Sequence, residues 1–202
     1  MCIAAWAWQS QPAHHLLLLF NRDEYHSRPT RPAGWWAAAE AEGKEILGGR
    51  DELGGGTWLG CTRDGKLAFL TNVREPSTRV GAKSRGELPV RFLQALRLGQ
   101  SFNRFLVTHD GAEFPLQQMV EQLMMDTVKP DRSAVPDTGV DPDWEYHLSS
   151  IFIDTEKGQA RYGTRSMAAI AMKFNGEVIF YERYLESNLW KENLMQFELE
   201  TA

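Results

Sequence analysis

Two consecutive apolar segments at the start of the chain do most to limit its fold. Cys2 to Trp8 alternates, with Cys2, Ala4, Trp6 and Trp8 on one face and Ile3, Ala5 and Ala7 on the other. Both faces are apolar enough to be covered, as in a central strand buried on two sides. The turn Ser10-Gln11-Pro12 follows, and His15 to Phe20 forms a second buried strand ending in the polar cluster Asn21-Arg22-Asp23-Glu24. So short a turn makes the two strands antiparallel neighbours. Cys2 and Arg22 therefore come to the same end of one sheet.

The rest of the chain reads as strands, then helices, then strands. Thr57 to Thr62 and Lys66 to Asn72 flank Arg63-Asp64-Gly65, a hairpin turn in which Asp-Gly tolerates the positive φ required. Ser84-Arg85-Gly86-Glu87 has capping-box spacing and precedes a stripe of Leu88, Phe92, Leu93 and Leu96. Leu116, Met119, Val120, Leu123 and Met124 make a second helical stripe. Strands are expected at Ser149 to Asp154, Ala160 to Phe174 and Glu177 to Leu185, with Asn175-Gly176 as a turn and Glu186 to Leu199 as a closing helix. This order predicts a layered α+β fold. With no repeat or linker-like shift in composition, residues 1–202 read as one domain.

Composition narrows the function classes. The 202 residues carry 22 Lys+Arg against 27 Asp+Glu, a net charge of −5 that argues against a nucleic-acid partner. No apolar run approaches the roughly 20 residues of a membrane-spanning helix. No basic residue precedes Arg22, so the start lacks the charged region of a secretory signal. Two cysteines make neither a disulfide framework nor a Cys-rich zinc site, and the five histidines show no metal-ligand spacing. The expectation is a soluble cytoplasmic protein without metal or cofactor.

Four groups of residues are candidates for chemistry. Cys2 is small enough for Met1 to be trimmed, which leaves a thiol and an α-amine on one residue. With ordinary pKa values of about 8.5 and 7.7–8.0, the amine can serve as general base for its own side chain. The alternative is a small core cysteine. Arg22 would depress the thiol pKa, and Asp23 or Glu24 would orient the amine; otherwise the cluster is a solvated strand end. Gly54-Gly55-Gly56-Thr57-Trp58 allows backbone N–H groups to approach a ligand or oxyanion, with Asn72 as a further oxyanion donor; the alternative is a flexible turn and an Asn that caps a strand. The run lacks the Lys-Ser/Thr of a phosphate loop. Arg165, in Tyr162-Gly163-Thr164-Arg165-Ser166, reads equally as a substrate-carboxylate ligand or half of a structural ion pair.

These motifs together resemble the NRDE family, also called the transport and Golgi organisation protein 2 family. The resemblance rests on Met1-Cys2-Ile3, Asn21-Arg22-Asp23-Glu24, Gly49-Arg50-Asp51 with Gly55 to Gly60, Thr71-Asn72, Ser84 to Leu88, Pro136 to Val140, Leu148 to Ile153 and Tyr162 to Ser166. It covers the first hundred residues and then Val135 to about Leu185. The family is similar to N-terminal nucleophile hydrolases, which implies a four-layer αββα sandwich around two antiparallel sheets. By that resemblance Cys2 is the nucleophile, Arg22, Asp23 and Arg165 support it, and Asn72 is an oxyanion donor. Asn21, Glu24, Gly56, Thr57, Trp58 and Arg74 are then substrate-binding candidates. The sequence departs from the family in its middle: Phe102 to Gly111 keeps one strand, but nothing between Glu113 and Val135 supplies the usual Ser-Asn segment. The implied functions are an amidohydrolase or acyl transferase, or a carrier of haem or a similar apolar acid, with Trp6, Trp8, Trp35 and Trp36 available to a pocket.

Overall fold

The computed structural model describes residues 2–11, 13–72, 84–94, 116–135, 139–157 and 160–200. Two antiparallel sheets carry most of them, with few helices. The larger sheet orders its strands β1 (Ile3–Gln11), β2 (His14–Tyr25), β8 (Tyr162–Lys173), β9 (Glu177–Glu186) and β10 (Leu189–Glu198), and the short β7 (Asp154–Thr155) also pairs with β8. The smaller sheet runs β3 (Thr30–Trp35), β4 (Ile46–Asp51), β5 (Leu59–Thr62) and β6 (Leu67–Phe69). The described α-helices are α1 (Glu87–Gln94), α2 (Leu116–Leu123) and α3 (Pro142–His147).

Alternation along β2 explains the packing. Leu16, Leu18 and Phe20 point one way, into a core shared with Ala168, Ile170 and Phe180 and with Leu47, Leu59 and Cys61 of the smaller sheet. Leu17 and Leu19 point the other way, with Met167, Ala169 and Ala171, against Leu116, Val120 and Met124 in and beside α2. On the far face of the smaller sheet, Trp36 and Ile46 pack on Val90 and Leu93 of α1. A continuously apolar β2 is thus the consequence of cover on both faces.

Several sequence expectations need correction. Among the described strands β1 lies at the edge of its sheet rather than in the centre, and Trp6 and Trp8 are 64% and 47% exposed. Among the described residues its only partner in the sheet is β2, and the core between the sheets takes in just the Cys2 and Ala4 end. The expected closing helix is strand β10, paired with β9 from Leu189↔Glu186 to Glu198↔Glu177. Ser187 and Asn188, with φ of 51° and 62°, form the two-residue hairpin loop between them. That loop turns the chain back so that ten residues pair, and the pairing overrides helix propensity. In α1 the buried face is Val90 and Leu93, while Leu88 and Phe92 are exposed. Of the strand expected at Ser149 to Asp154, only Asp154 is in β7; residues 149–153 run irregularly, fixed where Phe152 N donates to Asp126 O at 2.7 Å. The hairpin turn at Gly65 is present, with φ of 85°. Leu96, Phe102 to Gly111 and Pro136 to Thr138 lie outside the described residues.

Candidate functional site

The β1–β2 register, Ile3↔Asn21, brings Cys2 alongside Arg22 and Asp23 at one end of the larger sheet. The next strand interface then loses its regular step. Arg22 pairs with Ser166 and Asp23 with Thr164, which leaves Arg165 as the extra residue of a bulge. A bulge re-aims the side chain it releases. Arg165 accordingly turns to the β2–β3 loop, where Nη1 donates to the carbonyls of Tyr25, His26 and Arg28 at 3.0–3.1 Å. It acts as a loop latch, with backbone oxygens where a carboxylate partner was expected.

Cys2 is 5% exposed, and its Sγ–H reaches the Asp23 carbonyl oxygen at 3.9 Å. Burial pushes the thiol above its ordinary value and the Asp23 charge adds to this, opposed by backbone groups of Asp23 and Asn72 and by the positive amino terminus. The expected depression by Arg22 is therefore outweighed. Asn72 joins the site through its main-chain N–H, directed at the Cys2 sulfur. Asp23 is fully buried and its Oδ1 accepts the Thr164 hydroxyl at 2.6 Å. Burial raises the Asp23 carboxyl, and the chain's amino terminus, Thr164 and Arg22 pull it back. Glu24 instead accepts from the Tyr25 N–H at 2.9 Å on a more exposed part of the strand, so Asp23 is the carboxylate beside Cys2.

Arg22, 4% exposed, lies over the Trp58 ring at 4.1 Å. Burial lowers its pKa to about 10, which keeps it protonated at neutral pH. Trp58 is held by close approach: a Cβ at Gly49 would stand 2.3 Å from the indole. Thr57 donates to Gly49 O at 2.7 Å and Leu59 O at 2.9 Å, and Gly56 rests on the backbone of Gly86. The N–H groups of Gly55 and Thr57 go to Asp51 O and Gly86 O. These residues fasten loops around the site, and the Gly55 and Thr57 amides are already committed. Asn21 is likewise a clamp, its Nδ2 donating to Met124 O and Ile151 O at 3.0 Å each. Arg74 lies outside the described residues.

Arg22 and Trp58 open onto a cleft of about 240 Å³, whose wall includes Arg28, Arg31, Arg165, Ser166 and Glu182. Arg28 is engaged by Asp51 at 3.0 and 2.6 Å. Those contacts outweigh burial and hold the Asp51 carboxyl below its ordinary value. Among the described residues no cluster of His, Cys, Asp and Glu could hold a metal ion.

Glu182 escaped the sequence reading. It is 2% exposed, and its Oε2 accepts the Ala33 N–H of β3 at 2.6 Å, bridging the two sheets. Its signal was periodicity: Val178 and Phe180 face the core between the sheets, and the next inward position is a glutamate. Burial pushes its pKa up to about 7 from 4.5, against the Ala33 and Ser166 hydrogen bonds and Arg22. The folded chain therefore holds a proton between pH 4.5 and 7 that the unfolded chain releases, so stability falls as pH rises through that window. At about 1.4 kcal/mol per pH unit the loss is on the order of 3 kcal/mol. Glu182→Gln keeps the acceptor without the charge. Urea unfolding should show it gaining roughly 2–3 kcal/mol over wild type at pH 8 relative to pH 4.5; an equal difference at both pH values contradicts this.

The fold and site define a mixed α/β protein with a polar site at the shared end of two antiparallel sheets. The chain belongs to the Transport and Golgi organisation 2 family, whose family model matches residues 1–102 and 95–187. It is 43% identical over 100 residues to the Transport and Golgi organization protein 2 homolog of Bos taurus, and 44% over 100 residues to that of Homo sapiens. Each match covers 46% of this chain and 35% of the relative, about a third of the relatives' own length. It is 33% identical over 106 residues to the uncharacterized protein YGR127W of Saccharomyces cerevisiae, covering 46% of this chain and 31% of that one. Among the described residues no helix is long and apolar enough to cross a membrane.

Proposed function

We propose that this chain is a cysteine N-terminal nucleophile amidohydrolase or acyl transferase, with residues 1–202 as its single domain on an αββα frame. The stacking of α2, larger sheet, smaller sheet and α1 supports that frame. The observation that carries the reading is the grouping of Cys2 with Asp23, the Asn72 N–H and Arg22 at one sheet end.

With Met1 removed, the Cys2 amine takes the thiol proton as Sγ attacks a carbonyl carbon. Asp23, buried beside the thiol and already interacting with the chain's amino terminus, holds the resulting ammonium. The carbonyl oxygen gains the negative charge and accepts from the Asn72 N–H. Collapse of the adduct breaks the bond to the leaving amine or thiol, which takes the proton back from the Cys2 ammonium. Water then attacks the thioester with the same amine as base, and collapse of that adduct breaks the C–S bond, releasing the acid while the ammonium returns its proton to Sγ. Arg22 supplies positive charge throughout. Mass spectrometry after incubation with a short acyl thioester tests this: an added acyl mass on Cys2 is expected, and its absence from Cys2 contradicts the reading.

A second reading, a carrier of haem or a related apolar acid, draws on the arginines of the cleft and the exposed Trp6 and Trp8. The cleft is smaller than the 300–1,000 Å³ common for such ligands, so it would seat the acid group and leave the apolar body on the surface.

A further inference from the structure

Arg22 differs from the other arginines around the cleft. Arg28 is bound by Asp51, Arg31 donates to Glu40 at 2.7 Å, and Arg165 is spent on three carbonyls. Among the described residues, Arg22 has no carboxylate within 4.0 Å and no hydrogen-bond acceptor, only the face of Trp58. A cation this deeply buried calls for an anion. We propose that the cleft above Arg22 is a subsite for the carboxylate group of a ligand, and that Glu182 at its floor must be neutral for that carboxylate to seat.

The geometry supports both parts. A guanidinium presents paired N–H donors that match a carboxylate in plane, and the Trp58 face fixes that plane. The cleft's 240 Å³ is about eight water volumes at about 30 Å³ each, room for a carboxylate and a short apolar stem. Arg28 and Arg31 are already paired with carboxylates, so the charge left to an incoming carboxylate is that of Arg22, with Arg165 also on the wall. Glu182 lines the same cleft and interacts electrostatically with Arg22. While ionised it competes with an incoming anion; once protonated it still accepts from Ala33 and leaves Arg22 only the more distant charges of Glu24 and Asp51. The other charged or titratable groups of the cleft are Arg28 and Arg31 near β3, Arg165 on β8, Tyr184 and Glu186 on β9, and Glu52 and His26 at the rim. Of these, His26 is the group whose titration could imitate that of Glu182.

The subsite does not depend on turnover at Cys2, and the test separates the two. Calorimetric titration of the full chain uses benzoate, with benzamide as the uncharged control. Benzoate should bind about thirtyfold more tightly at pH 6 than at pH 8.5, following the fraction of chains with neutral Glu182, and benzamide should not bind. Arg22→Met should abolish binding and Arg22→Lys should weaken it about tenfold, each checked for native circular dichroism. Glu182→Gln should bind at pH 8.5 as wild type does at pH 6, while His26→Gln keeps the wild-type pH dependence. Cys2→Ala should bind as wild type. Equal binding of benzamide, wild-type affinity in Arg22→Met, or an unchanged pH dependence in Glu182→Gln overturns the proposal.

Discussion

Cys2→Ala should lose turnover of an activated thioester by several orders of magnitude while its unfolding midpoint stays close to wild type. The first effect follows from the reaction: no other described side chain at that sheet end is a nucleophile with an amine attached, and removing one member of a unit that works together removes most of its advantage. The second follows from packing. Cys2 sits at the margin of the core between the sheets, and its sulfur has only weak hydrogen bonds, to the Asp23 carbonyl at 3.9 Å and from the Asn72 N–H. Losing that atom should cost about 1 kcal/mol, near the centre of the range for single substitutions. Steady-state hydrolysis and thermal melts on the same preparation read both. Full turnover in the variant, or failure to fold, removes Cys2 from the mechanism.

Trp58→Ala should have the largest effect on stability, a loss of about 3–5 kcal/mol. The indole is 8% exposed, fills space that Gly49 leaves for it, and supports the Arg22 guanidinium. In a chain of this size that corresponds to a fall of roughly 10 °C in melting temperature. Trp58→Phe should recover a good part of it, since an aromatic face remains under Arg22. A melt within 2 °C of wild type for Trp58→Ala contradicts the packing described here.

Much of the site was legible because its parts are close in sequence or tied by one hairpin. Cys2 and Arg22 meet because β1 and β2 are joined by a short turn, and alternation alone placed Leu16, Leu18 and Phe20 on one face. What escaped depended on long-range pairing. The role of Arg165 follows from a bulge whose position is fixed only when β8 pairs with β2. β1 has a central strand's composition, yet among the described strands it pairs with β2 alone, because sheet order is a tertiary property. β10 reads as a helix until Ser187-Asn188 is recognised as a hairpin loop, after which its partner is β9. Glu182 was hidden by its type: a glutamate in a strand is expected outside, and only the inward phase of Val178 and Phe180 shows otherwise.

The central claim is that Cys2 is an N-terminal nucleophile activated by its own amine. An intact mass of the purified chain, followed by timed iodoacetamide labelling at pH 6.5 with both cysteines located by peptide mass, tests it most directly. Cys61 is the internal reference, since burial pushes its thiol up to about 12. Met1 should be absent, and Cys2 should be alkylated at least about tenfold faster than Cys61. Retention of Met1, or a Cys2 no faster than Cys61, contradicts it.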